Sequence, residues 1–122
     1  MVLDSSGWIE LLAGSDRAHL FEPALRAERL FVPSIIRYEV GRYVLSHRGP
    51  SGRELALTAL SKFEQMSIDA DLADMAAELA QAHKLAMADA LVYAAALRVR
   101  AKLWTQDKDF ERLPNVKYFP KR

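Results

Sequence analysis

Short β-prone runs alternate along this chain with longer helical patterns, and that alternation restricts the fold more than any other feature. Val2-Leu3, Leu30-Phe31-Val32 and Leu103-Trp104-Thr105 each lead into a helix or a turn, and Met66-Ser67-Ile68 and Val116-Lys117-Tyr118-Phe119 read as two further strands. Between them, apolar residues recur at helical spacing. Trp8, Ile9, Leu11 and Leu12 form one such face, and Leu20, Phe21, Ala24 and Leu25 another, in a helix over 17–27. Further helices are expected over 35–46 and 53–65, from a cap at Asp69 or Asp71 to about 82, and over 86–100. The last is nearly all apolar and should be buried on most sides. Strands separated by helices pair in parallel, so the expectation is an α/β domain with a small, mainly parallel sheet. His47-Arg48-Gly49-Pro50-Ser51-Gly52 is the clearest break. It reads as a loop inside the domain, too short to link two domains. A chain of 122 residues suits one domain, 1–122, with one core.

Composition narrows the chemistry. The chain has no cysteine, which excludes disulfides and thiolate zinc sites. No apolar run approaches the ~18 residues of a membrane span. Met-Val-Leu-Asp carries neither a basic segment nor a signal-peptide core, so a cytoplasmic protein is expected. The net charge of +1 says little, but its distribution says more. Residues 69–89 hold five acids and one Lys, whereas 98–122 hold eight Lys or Arg and three acids. A basic quarter beside an acidic cluster suits a polyanion cut at a metal; ordinary solvated helix surface is the competing reading.

Four acids stand out: Asp4, Glu39, Asp89 and Asp107. Each lies beside apolar residues, where a strand gives way to a helix or turn, or near a helix start. In parallel α/β sheets these places lie at the carboxyl ends of the strands, where ligands bind. Burying four carboxylates without a cation costs several kcal/mol each or neutralises them, and a shared hard divalent metal is the simplest relief. Each acid also has a purely structural reading. Asp4 can cap a helix, although Ser5 and Ser6 serve equally well. Glu39 can pair with Arg37 or Arg42, Asp89 can answer a helix dipole, and Asp107 can open a turn. His19, His47 and His83 lack ligand spacing and read as surface residues.

Four segments together resemble the PIN domain, and by order and spacing the VapC toxins of toxin–antitoxin pairs. They are Val-Leu-Asp-Ser-Ser at 2–6, Val-Pro-Ser-Ile-Ile-Arg-Tyr-Glu-Val at 32–40, Met-Ala-Asp-Ala-Leu-Val-Tyr-Ala-Ala-Ala at 87–96 and Leu-Trp-Thr-Gln-Asp-Lys-Asp-Phe at 103–110. The resemblance spans the whole chain. It implies a three-layer α/β/α fold, a ribonuclease dependent on Mg²⁺ or Mn²⁺, a homodimer, and a small protein antitoxin as partner. By position, Asp4, Glu39, Asp89 and Asp107 match the family's acidic quartet, with Asp4, Asp89 and Asp107 as metal holders. Thr105 matches the hydroxyl that orients them, and Ser5 and Asp109 support the site. Arg100-Ala101-Lys102 stands where a Gly often occurs, and Trp104 replaces a usual aliphatic; both departures bear on loop geometry.

The expected chemistry is hydrolysis of an RNA phosphodiester by metal-activated water, with no protein nucleophile. Arg37, Arg42, Lys108 and Arg112 are candidate phosphate contacts, with solvated faces as the alternative. Tyr38 and Tyr43 are candidates for base stacking, with core packing as the alternative. Two other functions remain open: an RNA-processing nuclease without an antitoxin, and a non-catalytic module that binds RNA or protein. No Gly-rich nucleotide loop follows the first strand, and Asp4-Ser5-Ser6 lacks the second Asp of an aspartyl-phosphate phosphatase.

Overall fold

The structure is a computed structural model and describes residues 1–121. In chain order, β1 (Val2–Leu3) leads into α1 (Ser5–Ala13) and α2 (Ala18–Leu25). Next come β2 (Phe31–Pro33), α3 (Ser34–Leu60), β3 (Glu64–Met66), α4 (Ala70–His83), α5 (Met87–Arg98), β4 (Leu103–Thr105) and β5 (Val116–Tyr118). A single 3-10 turn, Lys108–Phe110, lies between β4 and β5. The five strands form one sheet in the order β3-β2-β1-β4-β5, and all four pairings are parallel. The sheet expected to be mainly parallel is therefore wholly so.

Register follows from the apolar triplets. Val2 lies opposite both Phe31 and Leu103, so the three central strands meet at their most apolar residues. Val2, Leu3, Val32 and Leu103 are almost fully buried. A sheet covered on both faces takes continuous apolar strands rather than alternating ones. The connections from β1 to β2 and β3 carry α1, α2 and α3, while the crossover from β3 to β4 carries α4 and α5. Right-handed crossovers put these two sets on opposite faces, which makes the three layers α/β/α. The last helix, α5, is buried along Ala90 and Val92–Ala96, as its composition requires.

Local signals set the helix ends. Gly14, at φ 61, closes α1 in the left-handed conformation. The Asp69 carboxylate accepts from the Leu72 N–H at 2.8 Å and caps α4, which decides between the two candidate caps. Gly7 lets α1 approach the sheet, since an added Cβ would collide with the Leu3 side chain.

The loop expected at 47–52 is not there. Residues 34–60 form one helical path, kinked at Gly49, whose φ of 72 and ψ of −174 break the helical geometry at a single residue. Pro50 then opens the second half, where its missing N–H leaves no helical hydrogen bond unmade. Two strong helix breakers in succession thus make a corner, not a loop. The third strand also lies earlier than expected, at Glu64–Met66 rather than 66–68, because it pairs with Phe31–Pro33 from Glu64 onwards.

Candidate active site

In the order β3-β2-β1-β4-β5, the chain builds outward from β1 on one side and then crosses to β4 on the other. The direction of winding reverses between β1 and β4. At such a point the connections leave in opposite directions and open a crevice at the carboxyl ends of the strands. Asp4 follows β1 directly, and Asp107 lies two residues beyond β4. Glu39 stands in the second turn of α3 and Asp89 in the first turn of α5.

Asp4 is 4% exposed. It occupies the capping position of α1, yet its carboxylate makes no capping hydrogen bond. Instead its Oδ2 accepts from Thr105 Oγ1 at 2.8 Å and from Ser6 Oγ at 3.3 Å. Thr105 Oγ1 in turn accepts from the Asp107 N–H at 2.9 Å, so one hydroxyl ties the end of β1 to the end of β4. Burial pushes the Asp4 carboxyl above the ordinary carboxylate range, with the Asp107 charge adding to it; the bond from Thr105 is the main opposing effect.

Asp89, Asp107 and Asp109 each offer a carboxylate oxygen, and the three lie within 4.8 Å of one another. The Asp109 N–H donates to Asp107 Oδ1 at 2.9 Å, which folds the 3-10 turn so that both acids face Asp89. Burial, then the charges of Asp107, Asp4, Glu39 and Asp109, push the Asp89 carboxyl up to about 7. Glu39 is also raised, chiefly by burial and then by Asp4, against the hydrogen bond from Ser5. Five acids therefore share one field. Among the described residues the ion pairs are Arg17–Glu10, Arg29–Glu64 and Arg98–Asp69, and none involves a site acid. The expected structural alternative for Glu39, a bridge to Arg37 or Arg42, is absent there.

Residues 1–116 match the model of the PIN domain. This chain belongs to the PIN domain family. Its fold is similar to that of the toxin–antitoxin complex from Klebsiella pneumoniae, at 26% identity, a TM-score of 0.85 and 98% coverage of both chains. It is also similar to VapC20 of Mycobacterium tuberculosis, a sarcin–ricin loop cleaving toxin, at 17% identity and a TM-score of 0.79 over 93% of this chain and 94% of that one. A third likeness is to VapBC2 from Rickettsia felis, bound to a promoter DNA fragment, at 19% identity, a TM-score of 0.75 and 98% and 96% coverage. No curated protein sequence matches the chain.

The donor set of this PIN domain suits a hard divalent cation. It offers only carboxylate and hydroxyl oxygens, without sulfur or imidazole, and oxygen-only sets favour Mg²⁺, Mn²⁺ or Ca²⁺. The tight triad is Asp89, Asp107 and Asp109, so Asp109 stands closer to the other two than a supporting role implied. Asp4 and Glu39 are not members of that triad, but their charges help raise the carboxyl of Asp89.

The four candidate phosphate contacts fall into two groups. Lys108 and Arg112 are exposed on the segment that carries Asp107 and Asp109. Arg42 is exposed on α3, whereas the Arg37 guanidinium donates to Leu57 O, Ser61 Oγ and Gln65 Oε1 and braces α3 against β3. Tyr38 is 59% exposed and Tyr43 42%, so neither is a core residue; Tyr43 stacks on His47 at 4.0 Å. All three histidines are exposed.

Two residues at the site escaped sequence reasoning. Ser6 was weighed only as a cap, but it donates to Asp4. Gln106 is 4% exposed, and its side chain is fully engaged away from the acids. The available signal was its place between Thr105 and Asp107. Alternation along an extended segment turns Gln106 to the opposite side, into the α1–α2 layer, where a buried amide needs partners.

Proposed function

We propose that this protein is a metal-dependent endoribonuclease and the toxin of a toxin–antitoxin pair. The observation that carries the nuclease reading is the convergence of five carboxylates at the switch point with no ion pair, among the described residues, to a protein cation. Such a site repels a phosphodiester unless a cation reverses its charge. Asp4, Asp89 and Asp107 would hold Mg²⁺ or Mn²⁺, and Asp109 would share that task by its proximity to Asp89 and Asp107. A divalent ion bound there acidifies water and offsets the charge of the phosphate. Thr105 fixes Asp4 and the Asp107 backbone together. Glu39, whose carboxyl is raised by burial and by the charge of Asp4, would face the nucleophile from the α3 side. Lys108, Arg112 and Arg42 are exposed cations placed to meet the RNA backbone. Arg37 takes a bracing role instead.

The partner reading is supported by the likeness to toxin–antitoxin complexes and by surface chemistry. A groove of about 360 Å³ is lined by Ile9, Leu12, Tyr43, Val44, Leu55 and Ala56. It shares Leu12 with a neighbouring hollow of about 540 Å³ that includes Trp8, Leu11, Leu25 and Phe63. This apolar surface suits an amphipathic antitoxin segment. Tyr38 and Leu45 line another hollow on α3 and offer apolar surface to a second copy in a homodimer. Among the described residues, no helix is long and apolar enough to cross a membrane, and the reading places the toxin in the cytoplasm.

The test is cleavage of RNA by the purified protein. Cleavage is expected with Mg²⁺ or Mn²⁺, lost in excess EDTA, and lost in Asp89→Asn. Cleavage that persists in EDTA overturns the metal reading. An inert protein that still binds RNA favours the non-catalytic module. Growth arrest on expression, relieved by a small adjacent gene, separates the toxin from an RNA-processing nuclease.

A further inference from the structure

A chain of polar contacts, most of them partly buried, runs from Gln106 into the α1–α2 layer, away from Thr105 and Asp107. Gln106 Oε1 accepts from Arg17 Nε at 2.7 Å, and Gln106 Nε2 donates to Glu10 Oε2 at 2.7 Å. Glu10 Oε1 accepts from Ser15 Oγ at 2.7 Å, and Ser15 Oγ accepts from the Arg17 N–H at 3.2 Å. Arg17 Nη2 also donates to the carbonyls of Phe119 and Pro120. One amide side chain thus joins α1, the α1–α2 turn and the segment after β5. It does so at the residue between Thr105, which holds Asp4, and Asp107, which opens the 3-10 turn.

We propose that Gln106 is a positioning residue of the acidic site. Clamped between Glu10 and Arg17, it sets the course of the limb that carries Asp107 and Asp109. Five carboxylates repel one another, and the repulsion acts to push this limb outward, since it is the least covered part of the site: Asp107 is half-buried and Asp109 exposed. On the acid side, restraints on the limb include the Asp107 N–H bond to Thr105, the Asp109 N–H bond to Asp107 and the Gln106 N–H contact to Ser6 Oγ at 3.5 Å, and the buried Phe110 anchors its far end through its N–H bond to Asp107 O. Gln106 supplies the restraint from behind. A buried amide with both ends bonded to charged partners is costly to displace, because moving it leaves a donor and an acceptor unpaired. Groups that orient metal ligands without touching metal typically govern affinity by about 10–100-fold.

The proposal rests on the metal reading for its functional meaning, but the clamp itself is testable without metal. Gln106→Leu removes both bonds while keeping bulk, and Arg17→Lys removes the Nε donor from outside the site. Leu72→Ala, a cavity in the core under α4, serves as a destabilised control. In metal-free protein, exchange of the Asp107 and Asp109 amide hydrogens should quicken by about tenfold or more in both clamp variants and not in the control. Mn²⁺ affinity, measured by calorimetry well below each variant's melting temperature, should fall by about tenfold. Adding Glu10→Gln to Gln106→Glu restores every donor and acceptor in the chain and should return the slow exchange. Exchange at Asp107 and Asp109 that matches wild type, with only the melting temperature lowered, overturns the proposal. So does unchanged Mn²⁺ affinity despite faster exchange. Fast exchange in the clamp variants together with a wild type that binds no Mn²⁺ leaves the clamp standing and removes the metal reading instead.

Discussion

At the scale of single residues, the site gathers negative charge with no paired cation among the described residues. Asp89 shows it most directly. Its carboxyl is raised from 3.8 to about 7, so the folded protein without metal holds this proton more tightly than the unfolded chain does. The sign follows from linkage: the contribution to stability is complete below the unfolded value and is lost as pH rises through the folded one. Metal-free protein should therefore lose stability as pH climbs from about 4 to about 7. Asp4 and Glu39, also raised, push the same way. Asp89→Asn should abolish cleavage and also flatten this loss, leaving the metal-free variant more stable than wild type by roughly 1 kcal/mol above neutrality. Urea melts across this pH range, with and without Mg²⁺, check both. A variant no more stable than wild type at about pH 8 removes the repulsion account, and a wild type whose pH dependence Mg²⁺ leaves untouched removes the metal from it. The sequence singled out the four acids by their places after strands and near helix starts, although each also had a structural reading as a cap, an ion pair, a dipole partner or a turn. Asp109 was harder to rank, because its pairing with Asp107 depends on a turn three residues long. Gln106 was invisible because its two partners come from residues 89 and 96 positions away in the chain.

At the scale of elements, the alternation of strand and helix read true because each signal was local and repeated. Short β-prone runs marked the central strands, helical spacing marked α1 and α2, a cap at Asp69 or Asp71 marked the start of α4, and a nearly all-apolar run marked α5. The errors came where one residue's backbone decided the outcome. Gly49-Pro50 reads as a loop by composition, yet the chain turns within Gly49 alone and resumes its helix. A φ of 72 with a ψ of −174 is a region open almost only to glycine. There is open space around an added Cβ at this position, so any penalty comes from the backbone and not from packing. Gly49→Ala should destabilise the protein by about 1–3 kcal/mol, read as a lower denaturant midpoint with unchanged slope. An unchanged midpoint would show that the kink relaxes at no cost. The shift of β3 to Glu64–Met66 has another cause: an edge strand with a solvated sequence takes its register from its neighbour, not from its own pattern.

At the scale of the whole molecule, the proposed function depends on two surfaces set by one topology. The switch between β1 and β4 brings residues from positions 4 to 109 to one edge of the sheet. The order of elements made that convergence predictable, although distances between acids needed the fold. The same topology lays α1 and α2 along α3, on both sides of its kink, and leaves an apolar strip between them. The excess of apolar residues in these helices was visible in the sequence; which of them the core would consume was not. Trp8, Phe21 and Leu60 are buried, while Leu12, Leu25 and Leu55 are 37%, 40% and 74% exposed. The strip is the surface proposed for an antitoxin, and the acids are the feature its inhibition would address. An inhibitory partner gains most by placing a Lys or Arg among the acids, where a charged hydrogen bond replaces the cation. Its grip and its inhibition should then separate. Leu12→Glu with Leu55→Glu should weaken capture of the partner by about tenfold or more while RNA cleavage continues, since neither side chain is among the acids. A partner with its basic residue changed to Ala should still bind the strip but inhibit poorly, and Mg²⁺ should compete with the original partner and not with the variant. Binding measured by calorimetry, beside cleavage measured on the same samples, distinguishes these outcomes. An Ala variant that inhibits as well as the original would replace the charge plug with steric exclusion of RNA.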